Sequence, residues 1–252
     1  MSTPPLYGNL VPLDREVHKN LRLNTELATV TRVVGMNSLF LAVVEFAEAC
    51  KEYPIVFVRV GEAPTDGSAQ AVAPLAVLGL KAGSNLFVKD GKWTGNYVPA
   101  YLRRYPFAMA RIDDKQDTVA VCYDSEWAGF SETEGMSLFA ADGQPTEFLL
   151  NAKTFLESFE QESDRTRAAC QQLAELDLLR DMRFEATLSN GEKIDVEGFL
   201  AVDEQKLAEL ADDKVVQLHR SGLLALLEMH RVSMGNMNRL AIQHAEPAAA
   251  IA

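Results

Sequence analysis

Aromatic residues and an arginine pair are concentrated in one stretch of the chain, WTGNYVPAYLRRYPF, at residues 93–107. Each joins a large apolar surface to a directional polar group, a combination well suited to the recognition of anionic or planar ligands and of peptides. We therefore predict that this stretch contributes to a ligand or partner site. The predicted contributors are Trp93, Tyr97, Tyr101, Arg103 and Arg104.

The same residues also have a structural interpretation, which their spacing favours. Tyr97, Tyr101 and Tyr105 are four apart, so in a helix they would lie along one side and pack at a core edge. Arg103 and the arginine that follows it would then pair with nearby carboxylates. Pro99 restricts such a helix, because proline is tolerated only in the first turn. Packing and ligand binding both remain open from these residues alone.

Two other ionisable residues lie in apolar surroundings. Glu45 interrupts the run AVVEFAEA, and a half-buried carboxylate must be paired, hydrogen-bonded or protonated. We predict a salt bridge to an arginine, for which Arg103 or Arg104 is a candidate, rather than catalysis. His230 lies on an apolar helical stripe, and we predict that backbone or carboxylate groups satisfy its ring nitrogens. Proton transfer by His230 would need a partner that the spacing does not identify.

The remaining residues with catalytic potential form no recognised motif. The four histidines show neither an H-E-x-x-H pattern nor a close pairing with cysteine. The glycines form neither a P-loop nor a dinucleotide fingerprint, and no serine lies in a G-x-S-x-G turn. We therefore predict no metal site and no cofactor. Whether the chain is an enzyme stays open, with a non-enzymatic role favoured.

Composition and charge narrow the class of protein. The 252-residue chain is 48% hydrophobic and 24% charged, which is ordinary for a globular protein. Its formal net charge of −12 argues against nucleic-acid binding, because phosphate backbones are bound by clustered Lys and Arg. The three widely spaced cysteines suit a reducing compartment. There is no secretory signal and no apolar run of about 20 residues, so we predict a soluble cytoplasmic protein without membrane insertion.

The first half of the chain is predicted to be rich in strands with short connections. Residues 1–27 contain three prolines, which favour an extended arm over a helix or a central strand. The β-branched run Val30–Val34 predicts a strand, as does Ile55–Val60. Two further runs, Phe107–Ile112 and Thr118–Tyr123, predict an antiparallel hairpin with a longer loop.

From about residue 145 the pattern becomes helical. Apolar residues at helical spacing predict a long helix from Thr146 to near Leu179. Asn190-Gly191 predicts a hairpin turn between two strands, and Asp203 is predicted to cap a short helix. In the last helix, apolar residues and one histidine recur at steps of 4, 3, 4, 3 and 4, which predicts a stripe that packs on the core or on a partner. The stripe comprises Leu223, Leu227, His230, Met234, Met237 and Ala241.

Several segments together resemble the SapC family of bacterial proteins, named for a gene associated with surface-layer proteins. They follow one another in the expected order, cover nearly the full chain and include WTGNYVPAYLRRYPF at 93–107. The others are NLVPLDREVH at 9–18, MNSLFLAVVEFAEACKEYPIVF at 36–57, LGLKAGSNLFV at 78–88, DGQPTEFL at 142–149, VEGFLAVDEQKLAEL at 196–210 and LHRSGLLALLEMHRVSMGNMNRL at 218–240.

This resemblance implies a link to the assembly or export of a surface layer, and no catalytic residues carry over with it. The resemblance also implies a gene neighbourhood, because relatives are encoded beside halogenase-like and oxygenase-like proteins and outer-membrane receptors. The association implies a cytoplasmic accessory in the modification or uptake of peptides or surface components. Such an association names no mechanism, since function depends on sites rather than on folds.

The predicted fold class is α+β, with a strand-rich N-terminal half of mostly antiparallel sheet and a helix-rich C-terminal half. Residues 1–252 are predicted to form a single SapC-like domain, with a subdivision into 1–145 and 146–252 as the alternative. The first functional hypothesis is a non-enzymatic binding or accessory protein with a protein or peptide partner. The alternatives are an enzyme or enzyme partner in peptide modification, and a homo-oligomeric scaffold that assembles through the C-terminal helix.

Overall fold

A computed structural model describes residues 4–24, 29–113, 118–188 and 191–245. Antiparallel sheets occupy mostly the N-terminal half and helices mostly the C-terminal half, which confirms the predicted α+β class. Among the described helices, none is both long and apolar enough to span a bilayer.

Short strands dominate the described residues as far as Ser137, and helices become frequent after it. The strands are β1 (Leu10–Pro12), β2 (Arg22–Leu23), β3 (Ser38–Phe40), β4 (Ile55–Arg59), β5 (Val72–Val77), β6 (Val88–Lys89), β7 (Lys92–Trp93), β8 (Phe107–Asp113), β9 (Thr118–Asp124), β10 (Phe130–Ser131), β11 (Met136–Ser137), β12 (Leu179–Thr187) and β13 (Lys193–Val202). The helices are α1 (Phe46–Ala49), α2 (Ala100–Arg103), α3 (Glu147–Glu175), α4 (Glu204–Ala208), α5 (Asp212–Ser221), α6 (Leu223–Ser233) and α7 (Asn236–Ala245).

The chain divides into two compact units, each assembled from two separate segments. Unit 1 combines Met1–Val33 with Tyr101–Gln161, and unit 2 combines Val34–Ala100 with Glu162–Ala252. Both boundaries of the second segment of unit 1 fall within helices, α2 and α3. The predicted single domain, and its alternative division near residue 145, stay predictions.

Unit 1 is built on the antiparallel hairpin of β8 and β9, to which β1 adds as a third strand. Leu10 pairs with Asp124 and Pro12 with Cys122, so the N-terminal arm lies along the edge of β9. An edge position suits Pro12, which has no N–H to donate. The largest side chains of the unit 1 core are aromatic, and they include Tyr105, Phe107, Tyr123, Trp127 and Phe139.

Unit 2 is built on a five-stranded antiparallel sheet with the order β12-β13-β4-β5-β3. Its central strand β4 is apolar, and Ile55, Val56 and Phe57 are all buried. Helix α6 contacts both β13 and β4. Burial of apolar area between such a helix and a sheet contributes roughly 25 cal/mol per Å² to folding.

Most sequence-predicted elements of unit 2 are confirmed. The strand predicted at Ile55–Val60 is β4, and the long helix predicted from Thr146 is α3. The side chain of Asp203 accepts hydrogen bonds from the N–H groups of Gln205 and Lys206 and caps α4 as predicted. The hairpin predicted around residues 190–191 is formed by β12 and β13, although Asn190 itself lies outside the described residues.

The strand predicted at Val30–Val34 is wrong, because this run contains a 3₁₀ turn at Thr29–Arg32. Val30 and Val33 are both buried, whereas Val34 is exposed. A spacing of three places two side chains on one side of a 3₁₀ turn, but on opposite faces of a strand. Burial of this valine pair therefore outweighs the local preference of β-branched residues for strands.

The last helix is interrupted, and its stripe continues through two helices, α6 and α7. The Oγ atom of Ser233 donates to the carbonyl oxygen of His230 at 2.6 Å, a side-chain bond that bends helices. Gly235 follows, and glycine costs the most backbone entropy in a helix. The stripe residues other than Met234 are buried in unit 2. The predicted homo-oligomer stays a prediction.

Candidate functional site

The arginine pair of residues 93–107 lies at and just after a single helical turn, α2. The residue before a proline avoids the α region, so the turn does not continue through Tyr105 to the proline that follows it. Tyr97, Tyr101 and Tyr105 therefore do not share one helix, as the restriction by Pro99 indicated. Tyr97 precedes α2 and Tyr105 follows it.

Glu45 is buried in unit 2, and its carboxylate is satisfied without an arginine. Its Oε1 accepts from the hydroxyl of Tyr97 at 2.8 Å and from the N–H of Ala100 at 2.7 Å. Its Oε2 accepts from the N–H of Ala42 at 2.8 Å. The predicted Glu45–arginine salt bridge is wrong, because backbone and tyrosine donors fill the positions that we assigned to a guanidinium. Glu45 thus satisfies the first N–H of α2, which has no partner within the helix.

Trp93 and Tyr97 hold a tight loop of unit 2. The carbonyl oxygen of Tyr97 accepts from Nε1 of Trp93 at 3.2 Å and from the hydroxyl of Tyr53. The Trp93 ring also stacks on Phe87, with ring centroids 5.8 Å apart. A Cβ atom at Gly95 would lie 2.5 Å from the Tyr53 hydroxyl oxygen, so only glycine fits this approach. These contacts give Trp93 and Tyr97 a structural role.

Arg104 is buried in unit 1 among aromatic rings. Its guanidinium carbon lies 4.3 Å from the ring centroid of Tyr101, 4.4 Å from that of Phe159 and 5.6 Å from that of Tyr7. A desolvated cation gains about 2 kcal/mol from such a ring. Nη1 of Arg104 also lies 3.5 Å from Oε1 of Glu160. Its Nε is buried and has no hydrogen-bond partner within the described residues.

Arg103, by contrast, is exposed and lies beside helix α3. Its guanidinium carbon is 5.2 Å from the ring centroid of Phe155, which projects from α3. Contact with the ring restricts the long arginine side chain and lowers the entropy that it would lose on binding a ligand. The two neighbouring arginines therefore differ in burial: Arg104 belongs to the core, whereas Arg103 is accessible.

A cavity of about 330 Å³ lies in unit 1 next to both arginines. This volume falls at the lower end of the range for small-molecule sites. Aromatic side chains form much of its wall, namely those of Tyr105, Phe107, Trp127, Phe148 and Phe155. The polar residues of the lining are Asn24, Arg103, Arg104 and Asn151. Of the five residues predicted from the sequence, the cavity brings together Arg103 and Arg104, and it is not lined by Trp93, Tyr97 or Tyr101.

Asp124 supports the wall of this cavity, and the sequence interpretation missed it. Its side chain is fully buried and accepts from the hydroxyl of Tyr105 at 2.8 Å and from the N–H groups of Gly8 and Asn9 at 3.0 Å each. Burial raises the pKa of this carboxyl, but the hydrogen bonds outweigh burial and leave the pKa below its usual range. The available signal was a carboxylate at the end of the apolar run TVAVCYD, the kind of signal that identified Glu45.

Burial and the bond to Asp124 also raise the pKa of the Tyr105 hydroxyl, so Tyr105 donates its proton to the carboxylate throughout the neutral range. Tyr105 and Trp127 pack edge to face, with ring centroids 5.8 Å apart. Asp124 thus fixes one aromatic wall residue directly and a second through it. A rigid wall of this kind reduces the ordering cost of binding.

His230 is buried in unit 2 and bonds the backbone of two neighbouring strands. Its Nδ1–H donates to the carbonyl oxygen of Ile55 at 2.7 Å, and its Nε2 accepts from the N–H of Val202 at 3.1 Å. Burial lowers the pKa of His230 to about 4, so the ring is neutral at physiological pH. Both nitrogens are used in joining β4 and β13. Glu45 and His230 therefore hold the fold, and their geometry gives no support to proton transfer by either residue.

The cysteine thiols and the remaining acidic groups are poorly placed for nucleophilic catalysis or metal binding. Burial raises the pKa of Cys170 to about 12 and also raises the pKa of Cys122, and a thiol that stays protonated is a poor nucleophile. Within the residues that the structure describes, no group of three or more His, Cys, Asp or Glu side chains could hold a metal ion. The arginine-flanked cavity of unit 1 is therefore the candidate functional site.

Comparison with known protein families shows to which family the chain belongs. A profile of the SapC family matches residues 13–240, which includes the whole of the 93–107 stretch. Comparisons with curated proteins and with solved structures found no match. The match spans well over half of the chain, and the order of the resembling segments agrees with it. This protein belongs to the SapC family.

Proposed function

We propose that this protein is a non-enzymatic binding protein whose unit 1 cavity receives an apolar group of a protein or peptide partner. The observation that carries the proposal is the cavity of about 330 Å³, with aromatic walls and an accessible arginine at its edge. Concave, largely apolar sites with a few polar groups are the usual form of ligand sites. The proposed contributors are Arg103, Arg104 and the aromatic wall.

The proposal extends to a role as a cytoplasmic accessory in the biogenesis of a bacterial surface layer or surface component. Membership of the SapC family supports this link. The unpaired state of Cys50, Cys122 and Cys170 supports a reducing compartment. A partner that is modified or exported would have to be held before that step, which is a task for a binding site rather than for a catalytic one.

Fluorescence of Trp127 provides the test, because this residue lines the cavity and is one of two tryptophans in the chain. A Trp93→Phe background leaves Trp127 as the single reporter. The probe is naphthylacetamide, a neutral aromatic amide that resembles an aromatic side chain within a peptide. We expect saturable quenching with a dissociation constant of about 1 mM or tighter, since burial of about 150 Å² of apolar area contributes roughly 4 kcal/mol.

Two substitutions on helix α3 distinguish binding of the probe in the cavity from binding elsewhere on the surface. Ala152→Phe fills the cavity, which Ala152 lines, and should abolish the quenching. Ala168→Phe adds the same ring at an exposed position of α3 outside the cavity lining and should leave the quenching unchanged. Absence of saturable quenching, or equal quenching in both variants, overturns the proposed function.

A further inference from the structure

The unit 1 cavity is positively charged on a strongly acidic chain. Its lining includes two arginines and two asparagines, and none of the described lining residues is acidic. The formal net charge of the chain is −12, so a lining without a carboxylate differs from the protein as a whole. A second cavity in unit 1 mixes both signs, with Arg15 and Lys19 beside Glu16 and Glu132. Charge complementarity therefore points to an anionic ligand in the first cavity.

Arg103 is placed to recognise a planar anion. Its guanidinium lies over the Phe155 ring at 5.2 Å, and both residues line the cavity. Guanidinium carries only donors, arranged in a flat fork that matches the two oxygens of a carboxylate. An exposed lysine on a flexible stem would offer a point charge instead of this geometry.

Arg104 places a second, buried cation beside the cavity, and Glu160 partly balances its charge, with Oε1 of Glu160 3.5 Å from Nη1 of Arg104. Arg104 lines the cavity as well, and its Nε is a buried donor that has no hydrogen-bond partner within the described residues. A buried donor without an acceptor is costly, so unsatisfied groups in a native structure mark places where a ligand or ordered water completes the bonding.

We infer that the ligand of this cavity is an apolar group that carries a carboxylate. The aromatic walls contact the apolar part, the Arg103 guanidinium binds the carboxylate, and the NH₂ groups of Asn24 and Asn151 are available as further donors. This inference rests on the proposed function, because it names the chemistry of the same site.

The test compares naphthylacetate with naphthylacetamide, which have the same ring and nearly the same shape but differ in charge. We expect the acid to bind the full-length protein about tenfold more tightly than the amide, because a charge-assisted hydrogen bond replaces a neutral one. High salt should reduce this difference, since Arg103 is exposed and its charge is screened.

The decisive variant is Arg103→Gln, which removes the guanidinium from an exposed position and leaves the buried Arg104 in place. Binding of the acid should fall to the level of the amide, so that the roughly tenfold preference for the charged probe disappears. Arg111→Gln is the matched control, because Arg111 is exposed in the same unit but does not line the cavity. Thermal unfolding of both variants checks that each is folded.

The possible outcomes separate this inference from the proposed function. Equal binding of acid and amide, or a preference for the acid that survives Arg103→Gln, overturns the inference and leaves the proposed function intact. Absence of binding by both probes overturns the proposed function and the inference together. Octanoate and N-acetylphenylalanine then distinguish two sources of the carboxylate, a fatty acid and the C-terminal end of a peptide. Competition by either acid supports the carboxylate, competition by octanoate alone overturns the protein or peptide partner of the proposed function, and competition by neither contradicts the inference.

Discussion

Replacement of Asp124 by asparagine should destabilise unit 1 strongly, although the substitution hardly changes the shape of the side chain. Oδ1 accepts from the N–H groups of Asn9 at 3.0 Å and of Glu126 at 3.2 Å. Oδ2 accepts from the N–H of Gly8 at 3.0 Å and from the hydroxyl of Tyr105 at 2.8 Å. All four partners are donors, and an asparagine amide offers only one oxygen to accept from them.

The expected loss follows from this count of donors. The less costly orientation of the amide puts its NH₂ group at the Oδ2 position, where the Tyr105 hydroxyl can turn to accept from it but the N–H of Gly8 loses its acceptor. One hydrogen bond to a charged acceptor, worth about 1.5–3 kcal/mol, is then lost, and the two bonds to the remaining oxygen become neutral and lose about 1 kcal/mol each, so the free energy of unfolding should fall by about 3–5 kcal/mol. This is a large share of the roughly 5–15 kcal/mol that stabilises a typical protein.

The loss should also depend on pH in a defined direction. The pKa of Asp124 is lowered in the folded protein, so its stabilisation is present above the unfolded pKa of about 3.9. It is lost as the pH falls through the folded pKa. The difference between the wild-type protein and Asp124→Asn should therefore be full at neutral pH and should shrink in acid.

Urea unfolding, followed by Trp127 fluorescence in the Trp93→Phe background, measures this effect in unit 1. The matched control is Asp142→Asn, because Asp142 is an exposed residue of the same unit that accepts from the N–H of Gln144 at 3.0 Å. We expect the control to lose less than about 1 kcal/mol. The argument fails if the two variants lose equal stability, or if the loss in Asp124→Asn does not change with pH.

Two further predictions concern unit 2. His230 has a folded pKa of about 4 against an ordinary value of 6.5, so its contribution to the free energy of unfolding falls as the pH drops from about 6.5 to 4. Urea titrations should show a loss of about 3 kcal/mol over this interval that is absent in His230→Gln. Gly95→Ala would place a Cβ 2.5 Å from the Tyr53 hydroxyl oxygen and should lower the free energy of unfolding by about 1–3 kcal/mol; a melting temperature equal to that of the wild-type protein contradicts this clash.

Elements with local signals could be predicted from the sequence. The turn signal at residues 190–191 and the capping aspartate Asp203 act within a few residues of their own position, and both predictions agree with the structure. The strand prediction for Val30–Val34 is wrong because the conformation of this run depends on which valines become buried. Their burial depends in turn on residues that are distant in sequence. Propensity is a weak guide wherever packing of this kind decides the conformation.

The candidate site could be predicted only in part. The arginines were identified by their type, but the cavity beside them is closed by residues from three other parts of the chain, near Leu23, Trp127 and Phe148. Nothing in the sequence indicates that these parts meet. The partners of Glu45 were missed for a related reason, because two of its three donors are backbone N–H groups, which carry no signature of residue type.

The high aromatic content of residues 93–107 therefore has two separate causes. Trp93 and the backbone of Tyr97 close a loop of unit 2, and Tyr101 packs on the buried guanidinium of Arg104 in unit 1. These contacts explain why the residues must be large and aromatic, and they would exist without any ligand. Arg103 is different, because an exposed guanidinium beside a cavity adds little to stability. None of the described lining residues is acidic, and an anionic ligand is the partner that we propose for Arg103.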